Sequence, residues 1–143
     1  MLFIPTPTER QAGQWDIPLF ADCNAREIRR IDSLTTALTI EAGRSLCRRG
    51  ELGRQCFVIV DGEAEIETYD GVETVGRGAV VGELALLVPN GRCTSNAVAL
   101  TDLTVLVLSR TEFTQLMTSL PNVAHKILHE ATRRLIANRG AAS

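Results

Sequence analysis

The chain has 143 residues, 15 Lys and Arg against 17 Asp and Glu for a formal net charge of −2, and 45% apolar residues. That length fits one domain able to bury a real core, and the composition excludes wholesale disorder. The slight acidity, with Arg48, Arg49, Arg133 and Arg134 scattered rather than gathered, excludes binding to a nucleic-acid backbone by bulk charge.

Three of the five prolines fall in residues 1–18, which read as an N-terminal arm that folds back through Leu2, Phe3, Ile4 and Trp15. The opening MLFIPTPTER lacks the basic and apolar regions of a secretory signal, and no apolar run reaches the ~18 residues of a membrane span. A soluble cytoplasmic protein without membrane insertion is the expectation. Asn24 and Glu27 have capping-box spacing ahead of Ile28, Ile31 and Leu34, so a short helix starts there.

From about 36 to 109 the pattern becomes short apolar or alternating runs closed by glycine turns. Leu38 and Ile40 precede Gly43, Phe57 to Val60 precede Asp61-Gly62, Ala64 and Ile66 precede Asp70-Gly71, and Leu103 to Leu108 close the series. Runs spaced by roughly 8 to 12 residues predict a small antiparallel sandwich or roll. After Ser109 the period is helical again. Phe113, Leu116 and Met117 fit one short helix, and Pro121 opens a second, in which Val123, Ile127, Leu128, Ala131 and Leu135 share a face. Lys126, Glu130, Arg133 and Arg134 fall off that face. The fold class is therefore mainly β with flanking α helices.

The four cysteines, Cys23, Cys47, Cys56 and Cys93, are 24, 9 and 37 positions apart, a spacing that fits neither a zinc knuckle nor a CxxC motif. They read as reduced, buried or half-buried thiols. His125 and His129 are one helical turn apart, but no cysteine or carboxylate completes a metal set. No metal or cofactor is expected, and no catalytic constellation is present.

One stretch interrupts the β pattern: Gly82-Glu83-Leu84-Ala85-Leu86-Leu87-Val88-Pro89-Asn90-Gly91-Arg92. Helix formers after a glycine predict a single turn starting near Glu83, whose first N–H groups make an anion site. Pro89-Asn90-Gly91 then turns the chain and brings back Arg92, a planar cation suited to phosphate. Glu83 can only accept hydrogen bonds, which suits a ligand that also offers a hydroxyl.

This stretch resembles the phosphate-binding cassette of the cyclic nucleotide-binding domain family, the group of catabolite activators and protein kinase A regulatory subunits. Leu19-Phe20-Ala21, Ala42-Gly43, Arg49-Gly50, Phe57-Val58-Ile59, Asp61-Gly62-Glu63, Gly78, Leu100-Thr101-Asp102 and Val107-Leu108-Ser109 extend the likeness. The resemblance implies one binding domain over residues 19–139, between the arm and a tail at 140–143. It implies a jelly-roll-like antiparallel β-roll, with an N-terminal helix and C-terminal B and C helices that move with the ligand. By the same resemblance Glu83 accepts from a ribose 2′-OH, Arg92 pairs with the cyclic phosphate, and Gly82 with the N–H groups of Leu84 and Ala85 completes the cradle. The ligand implied is cAMP, with cGMP as the other candidate.

Two departures bear on the base. Cys93 follows the arginine where the family carries Ala, Ser or Thr, with Thr94 next, and a hydroxyl there helps to read guanine; this favours cAMP. The segment from Arg92 to Thr101-Asp102 is also one residue longer than the family pattern. The function expected is a non-enzymatic ligand sensor that relays through its last helices to a regulated protein partner or to a domain outside this sequence, with a second copy of the chain as a further candidate for the last helix. On length, no helix-turn-helix is expected after that helix within these 143 residues. The alternative is a scaffold that keeps the fold without the nucleotide. A metal-dependent or sugar-binding enzyme on the same fold ranks below both, for want of inward-facing histidines.

Overall fold

The computed structural model describes residues 6–7, 15–68 and 71–142 of the chain, with side chains described up to residue 136. Leu2, Phe3, Ile4 and Asp70 lie outside the described residues. Nine strands are present there: β1 (Thr6–Pro7), β2 (Thr36–Ile40), β3 (Ser45–Cys47), β4 (Gln55–Asp61), β5 (Ala64–Thr68), β6 (Gly71–Val75), β7 (Val80–Val81), β8 (Asn96–Ala99) and β9 (Leu103–Ser109). Four helices accompany them: α1 (Ala25–Leu34), α2 (Glu83–Leu86), α3 (Arg110–Ser119) and α4 (Pro121–Ala142). A 3₁₀ turn at Pro18–Phe20 precedes α1, and α4 takes in residues 140–142 of the expected tail.

All strand pairs are antiparallel and form two sheets, ordered β1-β2-β9-β4-β7 and β3-β8-β5-β6. The expected β-roll with flanking helices is the observed fold. Successive side chains of a strand point to opposite faces, and β4 and β9 are apolar on both. Phe57, Ile59, Leu103, Val105 and Val107 point between the sheets, where they meet Leu46, Ala64, Ile66 and Ala97. Val58, Val60, Leu106 and Leu108 point the other way, into a second core with Phe20, Ile31, Phe113, Leu116, Val123 and Ile127 of the helices. This doubly buried pair of strands couples the roll to α1, α3 and α4.

The helix starts follow local chemistry. Asn24 accepts from Glu27 N–H at 2.9 Å, and Glu27 Oε1 accepts from Asn24 N–H at 3.0 Å, which completes the expected capping box. Ser109 and Glu112 build the same box at α3. In α4, Val123, Ile127 and Ala131 are buried, whereas Leu128 is 46% and Leu135 48% exposed. The expected apolar face is thus narrower than the sequence suggests. Leu128 sits about 100° around the helix from Ile127, off the contact line.

Candidate functional site

The interrupted stretch lies where β7 leaves its sheet. Gly82 caps α2 at φ 90° and ψ 4°, and a Cβ there would sit 3.1 Å from the Gln55 carbonyl, so both conformation and space require glycine. The first turn of α2 leaves the N–H groups of Leu84 and Ala85 without partners inside the helix. The loop then turns at Asn90, φ 55°, and packs Gly91 so closely that an added Cβ would meet the Ala85 carbonyl oxygen at 2.1 Å. Arg110, the first residue of α3, fixes this loop from behind. Its guanidinium donates to the carbonyls of Val88 at 2.9 Å, Gly53 at 2.7 Å and Ala85 at 3.0 Å.

Six of the seven expected site residues, Gly82, Glu83, Leu84, Ala85, Cys93 and Thr94, line one cleft of about 190 Å³ walled by β3, β5 and β6 of one sheet, by α2 and by α4. Arg92 is placed differently. It is exposed, forms an isolated bridge with Leu52, and donates from Nη1 to the Gly50 carbonyl at 2.8 Å rather than lining the cleft. Cys93 and Thr94, the two residues after it, face the cleft. The cations that do line the cleft, Arg133 and Arg134, come from α4.

Glu83 is the electrostatic centre. Its side chain is 1% exposed, and Arg134 Nη1 donates to Oε1 at 3.1 Å and Oε2 at 3.5 Å from a side chain that is itself 16% exposed. Burial pushes the Glu83 carboxyl above the usual carboxylate range, while Arg134 and the residue's own N–H partly offset the rise. Arg134 Nε also lies 3.6 Å from Glu130 Oε1, and Glu130 binds Arg133 at 2.6 Å. These contacts hold the Glu130 carboxyl below its ordinary value, chiefly through the Arg133 hydrogen bond. A ligand group entering the cleft therefore meets a carboxylate already tied to α4.

Residues 37–119 match the family model described as cyclic nucleotide-binding domain. The chain belongs to the cyclic nucleotide-binding domain family. The domain is 31% identical over 118 residues to a cyclic nucleotide-gated potassium channel of Rhizobium etli, a match covering 82% of this chain and 33% of the channel. It is 33% identical over 120 residues to a cAMP-dependent protein kinase regulatory subunit of Mycosarcoma maydis, covering 78% of this chain and 23% of that subunit. The chain thus spans about a third of the channel's length and less than a quarter of the kinase subunit's. Among solved structures it superimposes on the Thermus thermophilus catabolite activator protein with a TM-score of 0.70 and 28% identity, covering 84% of this chain and 59% of that one.

Within this regulatory type of domain, α4 supplies the residues that sequence reading missed. Arg134, expected off the apolar face of this helix, instead lies seven residues after Ile127, about 20° short of two full turns, and so projects from the buried seam. A charge on that seam was the available signal. Arg110 carried no signal, because its role is to hold carbonyls of segments 22 to 57 positions away. Arg49 is exposed yet donates from Nε to the Thr94 carbonyl at 3.2 Å and from Nη2 to that of Glu67 at 3.3 Å. His125 and His129 are exposed on α4. No helix among the described residues is long and apolar enough to cross a membrane.

Proposed function

We propose that the chain binds a cyclic purine nucleotide, cAMP ahead of cGMP, in the cleft over α2 and relays its presence through α4. The observation that carries this reading is Glu83: a carboxylate almost fully buried at the cleft, above its ordinary pKa, and tied to the helix that would carry the signal. A ribose 2′-OH would donate to it, and the N–H groups of Leu84 and Ala85 with Gly82 would take the cyclic phosphate. The resemblance assigns the phosphate's cation to Arg92. To fill that role its side chain must leave the Gly50 carbonyl and turn into the cleft. Cys93 in place of a hydroxyl residue supports adenine over guanine, and the kinase relative is named for cAMP.

By competing for Glu83, the ligand's hydroxyl would free Arg134 and with it the second half of α4. The receiver is a protein partner or a further domain, and a second copy of the chain is one such partner through Leu128, Leu135 and Ile136, which are exposed on α4. The four unpaired thiols fit a reducing compartment, which supports a cytoplasmic setting. The role is regulatory rather than catalytic.

A second reading, a scaffold that keeps the fold without binding, is favoured by the outward position of Arg92 and by the existing Glu83–Arg134 pair. Calorimetric titration of the nucleotide-stripped chain with cAMP and cGMP separates the two. Heat of binding, stronger for cAMP, is expected; no heat from a folded chain, with no displacement of labelled cAMP, selects the scaffold.

A further inference from the structure

Two of the four thiols face the same cleft from different segments. Cys47 ends β3, and Cys93 lies three residues before β8 begins; both line the cleft. The backbone holds them in place on either side. Cys93 donates from its N–H to the Glu51 carbonyl at 2.8 Å and accepts from Gly50 N–H at 2.9 Å. Cys47 pairs with Ala97 across the β3–β8 ladder, next to a bulge at Ser45, and its Sγ donates to the Ser95 carbonyl at 3.6 Å. The other two thiols sit apart: Cys56 is fully buried in the helix-side core, and Cys23 accepts from Asn122 near α1.

We propose that Cys47 and Cys93 form a redox modification site, an oxidisable dithiol in the floor of the cleft that closes to a disulfide when a hydroperoxide is the oxidant. Cys93 starts the reaction. Burial, reinforced by the neighbouring Cys93, pushes the Cys47 thiol up to about 12, so Cys47 holds its proton at neutral pH. The Cys93 thiolate attacks one peroxide oxygen, the O–O bond breaks, and the other oxygen leaves as hydroxide and takes up the thiol proton to become water. Cys47 then attacks the sulfur of the Cys93 sulfenic acid; the S–O bond breaks, and the departing hydroxide takes the Cys47 proton as a second water. Two thiols and one hydrogen peroxide give one disulfide and two waters; an organic hydroperoxide gives one alcohol and one water instead. Oxidation of Cys93 also removes the neighbouring thiol that helps to hold the proton on Cys47.

The bond draws both sulfurs together in the surface that a nucleotide would contact beside Ala85 and Thr94. Its effect on binding rests on the proposed function; its formation does not. The test exposes the full chain, reduced and freed of reductant, to equimolar hydrogen peroxide and then maps it by mass spectrometry. The expected product has lost the mass of two hydrogens and yields tryptic peptides 45–48 and 93–110 joined through sulfur. A Cys23→Ser, Cys56→Ala chain should give the same product, and Cys47→Ser or Cys93→Ser should not. Sulfinic acid at Cys93 without a link, a link to Cys23 or Cys56, or an unreacted chain would overturn the proposal. Titration of the oxidised chain with cAMP should show affinity about tenfold lower, restored by dithiothreitol. Should the reduced chain bind no nucleotide, the binding assignment fails while the peptide map still decides the thiol pair.

Discussion

Glu83 carries two separable expectations. If it receives the ribose hydroxyl, Glu83→Ala should weaken cAMP binding more than binding of the 2′-deoxy analogue; equal losses in parallel titrations would reject that role. Its raised pKa also makes stability depend on pH. As pH falls, the folded chain takes up the Glu83 proton before the unfolded chain does, so this contribution is fully present below the ordinary value of 4.5 and is lost as pH rises through the higher folded value. Wild type should therefore gain stability relative to Glu83→Gln between neutrality and about pH 5 in urea melts, and a constant difference would contradict the burial argument. For Arg92, charge-assisted hydrogen bonds are worth roughly 1.5 to 3 kcal/mol each, so Arg92→Ala should lower cAMP affinity at least about tenfold. Unchanged affinity would leave the cations already facing the cleft, Arg133 and Arg134, as the phosphate partners.

The cassette works as an element because α2 and its following loop are held from three sides. Gly82 and Gly91 let the backbone pass close to β4 and to α2, and Arg110 ties Ala85 and Val88 to Gly53. Arg110→Ala leaves three carbonyls without their common donor, two of those bonds being part-buried, and should cost about 2 kcal/mol of unfolding free energy. It should also weaken nucleotide binding through the cradle, and Arg110→Lys should restore only part, since an ammonium cannot span the carbonyls as a planar fork does. Denaturant melts beside calorimetric titrations would show it; an unchanged melt would mean that the loop is held by its glycine turns alone. Elements were legible where a period or a cap repeats. The Asn24–Glu27 box, the apolar runs of β4 and β9 and the alternating run of β5 announce themselves, while β3 and β7 are too short to show a period and β6 is mostly exposed, with no apolar alternation. Cassette residues were legible as a set, but their facing was not: Arg92 bonds the Gly50 carbonyl, 42 positions away, and no local pattern announces that contact.

At the scale of the whole molecule, the question is how an event at α2 reaches α4. The doubly buried strands β4 and β9 tie the roll to α1, α3 and the first half of α4, where Val123, Ile127 and Ala131 are buried. Beyond Ala131 the helix exposes Leu135 and Ile136, and its tie to the roll there is Arg134 on Glu83. The two halves of α4 thus differ in kind: one is held by apolar packing, the other by a charge pair that a ligand's hydroxyl can contest. Amide exchange can see this difference, since protection follows local opening rather than global unfolding. Saturating cAMP should slow exchange over the cassette, residues 82–94, and speed it over residues 128–136 of α4. Residues 121–127 should stay as they were. Arg134→Ala without nucleotide should reproduce the faster exchange at 128–136, because it removes the same tie by another route. If nucleotide binds and α4 exchanges uniformly as before, the Glu83–Arg134 pair is a structural contact only, and the signal must leave the domain through α1 or α3.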